Sequence, residues 1–181
     1  MADTRVTPPA LLVVALFSCH EKAFAWARQR LERHYGAIAR ESPRYPFNHT
    51  KYYESAMGQD LTKQLLCFEQ LVDQAQLATI KLHTNQLEGD LAAAGGFAED
   101  RPLNLDPGLL TLGKFLLATT KDQAHRIYLR DGIYAEVTLR FQSGEYEPWP
   151  WTYADYREPV VRTALKEFRD YYRRRLPVES G

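Results

Sequence analysis

A chain of 181 residues, 45% hydrophobic and 25% charged, is sized for one globular domain, and its composition excludes a fibrous or disordered class. Lysine plus arginine and aspartate plus glutamate both number 23, so the chain lacks the cation excess on which a dedicated nucleic-acid binder rests. Eleven tyrosines and three tryptophans call for half-buried rings whose polar atoms have partners.

Residues 1–9, ending in Pro8-Pro9, read as a loose leader to a single folded core over 10–176. The run 11–17 is apolar on both faces and predicts a central strand covered on both sides. It is far too short for the ~20 residues of a bilayer span. It also lacks the basic flank of a signal peptide, so a cytoplasmic protein without membrane contact is expected, in which the sequon Asn48-His49-Thr50 stays unmodified. Cys19 and Cys67, each in or beside an apolar segment, are expected as buried free thiols.

Phe24, Ala27, Leu31 and Tyr35 recur at helical spacing and predict a helix over 21–35 that stops at Gly36. Pro43 and Pro46 punctuate a connection, followed by a short strand over 50–54, a turn at 57–60 and a strand over 63–72. Asp73 caps a long helix to about Ala94, with Leu77, Ile80, Thr84, Leu87 and Leu91 on one face and Gly95-Gly96 at its end. A short strand over 102–105 leads to a turn at Asp106-Pro107-Gly108 and then an apolar helix over 109–119.

Residues 125–141 form a hairpin whose register can be chosen on chemistry. A plain two-residue Asp131-Gly132 turn sets charges against aliphatic neighbours. A three-residue loop with Gly132 left-handed pairs Leu129 with Ile133, Ile127 with Ala135, Tyr128 with Tyr134 and Arg126 with Glu136. The bulged loop is preferred. It places Ile127, Leu129, Ile133, Ala135, Val137, Leu139 and Phe141 in the core and Arg126, Tyr128, Tyr134, Glu136, Thr138 and Arg140 on a polar face. The Pro- and aromatic-rich stretch 146–156 is expected to lie against the domain. A final helix over 158–176 packs through Val161, Leu165, Phe168 and Tyr172 and ends in the solvated Arg173, Arg174 and Arg175.

The order βα–ββ–αβ predicts an α+β fold, a mixed or antiparallel sheet with helices packed on it. Its core is a ferredoxin-like split βαβ unit, elaborated by the hairpin and the C-terminal helix.

No phosphate-binding loop, dinucleotide fingerprint, nucleophile elbow, Cys-x-x-Cys or His-Glu-x-x-His occurs. Chemistry must therefore come from residues distant in sequence. Lys81, Asn85 and Glu88 share a helix face and can cradle an anion and a metal. Asp106 can hold a metal or a hydroxyl group, and His125 stands at the start of the hairpin as a candidate general base. His83 is expected to be solvated on its helix.

The chain resembles the domain-of-unknown-function 4416 family of small bacterial proteins. The resemblance rests on Pro46-Phe47, Thr50-Lys51-Tyr52-Tyr53-Glu54, Met57-Gly58, Lys81-Leu82, Thr84-Asn85 and Asn104-Leu105-Asp106-Pro107-Gly108. It continues through Leu117-Ala118-Thr119-Thr120-Lys121, His125-Arg126-Ile127-Tyr128-Leu129, the block from Gly132 to Leu139, Pro150-Trp151-Thr152-Tyr153 and Asp155-Tyr156. This chain has Ala154 where relatives carry proline, and a longer loop over 95–99. The family implies no established activity. Some members carry a GTP-binding label, which this chain, lacking a P-loop, does not justify. The blocks are rich in polar residues, and that favours a ligand or active site over a scaffold.

The expectation is a polar sheet-face site for a small anionic or nucleotide-like ligand, with hydrolysis or group transfer as the natural chemistry. Arg126, Lys81 and Lys121 would bind the anion, with Asn85, Tyr52, Glu54 and Tyr134 lining the site. His125, Glu136 and Asp106 are the catalytic candidates, and Glu136, Asp106 or Glu54 could ligate a metal; the sequence assigns no cofactor. The rival is a non-enzymatic module binding a protein or RNA partner through its aromatic segment, Trp149 to Tyr156, and basic end.

Overall fold

The computed structural model describes residues 6–50 and 52–176; the first five residues of the leader and Lys51 of the expected 50–54 strand lie outside the described residues. β1 (Ala10–Ser18) is buried along its whole length, as a strand apolar on both faces must be. Leu12, Val14 and Leu16 pack with α1 (Glu21–Tyr35) and α3 (Leu77–Ala94) on one side. Leu11, Val13 and Ala15 pack with α4 (Pro159–Arg175) on the other. The three helices bury the faces their spacing predicts. Asp73 caps the 3-10 turn that leads into α3, its carboxylate accepting from Ala75 N at 2.9 Å.

The remaining elements are β2 (Ile38–Glu41), β3 (Tyr45–Pro46), the one-turn helix α2 (Glu54–Met57), β4 (Thr62–Val72), β5 (Asn104–Leu110), β6 (Lys114–Thr119), β7 (Ile127–Arg130), β8 (Ile133–Gln142) and β9 (Glu145–Pro148). The strands form one antiparallel sheet in the order β2-β4-β1-β5-β6-β8-β7, with β3 on β4 and β9 on β8. The part β2-β4-β1-β5, with α1 and α3 as crossovers on one face, is the ferredoxin-like arrangement. The other five strands extend it, and α4 covers its second face. No helix among the described residues is long and apolar enough to cross a membrane.

Four expectations need correction. The connection after Gly36 carries two short strands on β4, β2 before Pro43 and β3 at Tyr45–Pro46. Residues 52–57 turn into α2 rather than forming a strand. Residues 109–119 are not a helix: Leu109 and Leu110 finish β5, residues 111–113 turn, and β6 returns. Strands buried on both faces read as continuous apolar runs, and periodicity cannot separate these from buried helix. Asp106-Pro107-Gly108 is not a turn either, but the middle of β5. Pro107 pairs with Val14, and by strand alternation its nitrogen faces away from β1, where no donor is needed. Gly108 is required for close approach, because a Cβ there would stand 2.2 Å from Leu116 O.

The hairpin keeps the expected pairs Ile127↔Ala135 and Tyr128↔Tyr134, but its loop differs. Arg130 pairs with Ile133 across a two-residue turn in which Asp131 and Gly132 both have positive φ, and Leu129 is the extra residue. Ile127 is 72% exposed and Leu129 39%, so they are not core. β7 is the last strand, beyond the cover of α1 and α3. A second bulge between Val137 and Leu139 moves Leu139 and Phe141 to the α4 side, while Ile133 and Ala135 stay with α1 and α3.

Candidate functional site

The site arises where the sheet parts. β5 and β6 pair only from Gly108↔Leu117 to Leu110↔Phe115. Before Gly108, β5 stays on β1 while β6 stays on β8 through Thr119↔Tyr134. α3 fills the missing hydrogen bonds with side chains. Lys81 Nζ donates to Leu105 O at 2.9 Å, and Leu105 N donates to Glu88 Oε1 at 2.7 Å. The opening is a cleft of about 660 Å³, within the roughly 300–1,000 Å³ usual for small-molecule sites.

Charges inside it are paired. Lys81 Nζ lies 3.2 Å from Asp106 Oδ1, and Asn104 Nδ2 donates to Asp106 Oδ2 at 2.8 Å. Arg101 donates to Glu88 Oε2 at 2.8 Å and to Asn104 Oδ1. Lys63 meets Asp155 at 2.6 Å with both side chains buried, and its amine also sits over the Tyr156 ring at 4.5 Å. Burial works against ionisation of Asp106, but the cations Lys81 and Lys63 and the donors Lys81 and Asn104 outweigh it and hold this carboxyl below its ordinary value. Glu88 moves the other way: burial dominates over Lys81 and Arg101 and raises it. Burial also lifts the Tyr53 phenol to about 12.

Arg126 and Glu136 lie on one face, as the register requires. Arg126 Nε donates to Glu136 Oε2 at 2.8 Å, one Nη to Lys121 O at 2.9 Å and the other to Tyr153 OH at 2.6 Å. Burial would lower the guanidinium, but the bonds to Glu136 and Tyr153 raise it above its ordinary value. All three of its nitrogens are engaged, so Arg126 braces the cleft rather than offering a free clamp. His125 Nε2 lies 3.2 Å from the same Oε2, and its ring stacks on Trp151, which stacks on Trp149 beneath Arg140. The aromatic stretch thus lies against the sheet, as expected.

Of the expected residues, Lys81, Asn85, Asp106, Lys121, Arg126, Glu136 and Tyr52 line this cleft. Three do not. His125 reaches it only through Glu136. Glu54 is exposed at the start of α2, and Tyr134 makes an edge contact with Tyr128. His83, expected in solvent, is half-buried against His34 and accepts or donates with Tyr35 OH at 2.7 Å. Cys67 is buried and Cys19 half-buried, both free thiols.

Sequence reasoning missed Lys63, Arg101 and Asp155, and gave Tyr156 only as part of the aromatic segment. The available signal was Lys63, a cation inside a strand otherwise buried to Phe68.

Two features of the cleft are unspent. Lys121 makes no ion pair among the described residues; its amine stands 4.7 Å over the exposed Tyr52 ring at the mouth. Tyr156, 2% exposed, has a buried hydroxyl with no hydrogen-bond partner among the described residues. Burial, with Asp155 and Asp106 next, raises this phenol well above its ordinary value, so it is a neutral donor.

The model of a family described as a domain of unknown function, DUF4416, matches residues 8–172. No curated protein and no solved structure matches the chain.

Proposed function

The chain belongs to the DUF4416 family, and from that premise we propose that it binds a small anionic or nucleotide-like molecule in the cleft between β5 and β6. The observation that carries this reading is the pair of unspent donors among the residues lining one cleft, the Lys121 ammonium at the mouth and the buried, unpartnered hydroxyl of Tyr156. A ligand with a negative group and a further acceptor satisfies both. Tyr52 and Tyr153, 68% and 45% exposed, offer flat faces to a base or sugar.

The reaction class that fits is hydrolysis or group transfer. Asp106, held ionised with its side chain 30% exposed, suits a nucleophile or a metal ligand, and Glu88 is held by Arg101 and Leu105 N to fix the cleft wall beside it. Glu136 is fixed by Arg126 and serves to orient it. The rival reading, a protein- or RNA-binding aromatic patch, is less favoured because Trp149, Trp151 and His125 already stack on one another, with Trp151 38% exposed. Two free thiols support a reducing compartment, and we place the protein in the cytoplasm of a bacterial cell.

The test is a thermal-shift screen against nucleotides and sugar phosphates. A ligand at 100 times its dissociation constant adds about 2.7 kcal/mol of stability, and Lys121→Ala should abolish the shift while leaving the unliganded melting temperature unchanged. The reading is wrong if no compound shifts the wild type, or if the shift survives in Lys121→Ala and in Asp106→Asn alike.

A further inference from the structure

A second group of side chains lies outside this cleft. Cys19 and His20 join β1 to α1, and Glu99 belongs to the loop between α3 and β5; one ligand atom from each falls within 4.8 Å of the others. Cys19 Sγ is 3.9 Å from Glu99 Oε1, and His20 Nε2 is 2.5 Å from Glu99 Oε2. Zinc bonds of about 2.3 Å to sulfur and about 2.0–2.2 Å to nitrogen and oxygen, at tetrahedral angles, put such atoms about 3.3–3.6 Å apart. The 3.9 Å between sulfur and carboxylate is already near this range, and the 2.5 Å between His20 and Glu99 would open by about 1 Å to admit the ion.

His20 and Glu99 form an ion pair, and the Cys19 thiol beside them donates to Met57 O at 3.3 Å, which holds the sulfur on the same side as the carboxylate. The backbone also makes room for the group: Gly58 has φ +82°, and a Cβ on it would stand 2.9 Å from Glu99 Oε1 and 3.3 Å from Cys19 Sγ. Thiolate, imidazole and carboxylate together are a zinc donor set, and the three half-buried side chains leave a fourth position open to water.

We propose that Cys19, His20 and Glu99 form a zinc site that ties the α3–β5 loop to the end of β1. Arg101, two residues past Glu99, pairs with Glu88 in the cleft, so the ion would also steady one cleft wall.

The test uses the full chain, stripped with a chelator and titrated with zinc against a chromophoric competitor, then with cobalt. A single zinc per chain is expected, with a sulfur-to-cobalt charge-transfer band. Removing an outer-shell partner typically weakens a metal site by about 10–100-fold, so loss of a ligand in Cys19→Ser or Glu99→Gln should weaken binding by at least about 100-fold. Should Cys19→Ser fail to fold, Glu99→Gln decides. Absence of zinc binding, absence of the cobalt–sulfur band, or unchanged affinity in Glu99→Gln overturns the proposal. So does loss of binding in His34→Ala, which would move the ion to the His34–His83 pair, whose rings are 3.9 Å apart.

Discussion

Arg126, just before β7, and Glu136 of β8 meet at 2.8 Å, with each side chain only 1% exposed, so neither charge has water to fall back on. Breaking a buried pair by removing one charge costs about 3–5 kcal/mol, whereas replacing both by apolar groups is often far milder. Glu136→Gln or Arg126→Met should therefore each lower stability by several kcal/mol in urea titrations, and Arg126→Met with Glu136→Leu should cost less than either alone. Additive losses in the double variant would make the pair a set of independent contacts.

Asp106 ties stability to pH. Its folded value lies below the ordinary 3.8, so the unfolded chain takes up the proton first. The stability it contributes is complete above about pH 3.8 and is lost as pH falls through the lower folded value. Asp106→Asn should flatten the decline in unfolding free energy over that acid window. Glu88 has the opposite sign: its raised value means that its contribution is complete below about pH 4.5 and is lost as pH rises through the folded value. An acid limb equally steep in Asp106→Asn would remove Asp106 from this account.

Gly108→Ala forces a methyl group to 2.2 Å from a backbone oxygen that cannot turn aside. Overpacking of this kind costs about 1–3 kcal/mol or more, and the strands that converge at the base of the cleft must separate. Gly113→Ala meets nothing within 4 Å and has no positive φ. It should change stability by less than about 1 kcal/mol, in the stabilising direction. Equal urea midpoints for the two variants would contradict the close approach.

Tyr156→Phe separates folding from binding. Deleting a buried hydroxyl without a partner removes a desolvation penalty of about 1–3 kcal/mol. The unliganded melting temperature should rise or hold while any ligand found by the screen binds more weakly. A lower melting temperature with unchanged affinity would show that the hydroxyl serves the fold.

Much of the core was legible because its signals are local. The two-faced apolar run of β1, the helical spacing in α1, α3 and α4, and the pairing of Ile127 with Ala135 and Tyr128 with Tyr134 each follow from a short window. The β5–β6 hairpin was hidden because Leu109, Leu112, Phe115 and Leu116 fit a helix face as well as two buried strands, and Asp-Pro-Gly mimicked a turn. The bulges at Leu129 and Thr138 shift residues between faces without a compositional mark. In the site, Lys81, Asn85 and Glu88 were visible as one helix face. Lys63 with Asp155, 92 residues apart, was not, because only the fold brings them together.

The peptide of Leu105 is held by a lysine and a glutamate where a neighbouring strand would ordinarily hold it. Backbone ladders have one spacing, but side chains come in several lengths. The width and polarity of this gap are thus encoded in a few positions on α3 and can be altered without renegotiating the sheet. Exchanging Asn85, which lines the opening but holds neither group of that peptide, for a shorter or longer residue would reshape what the opening admits while the ladders on either side stay as they are. The architecture separates the part that folds from the part that selects, and places the second within reach of single substitutions.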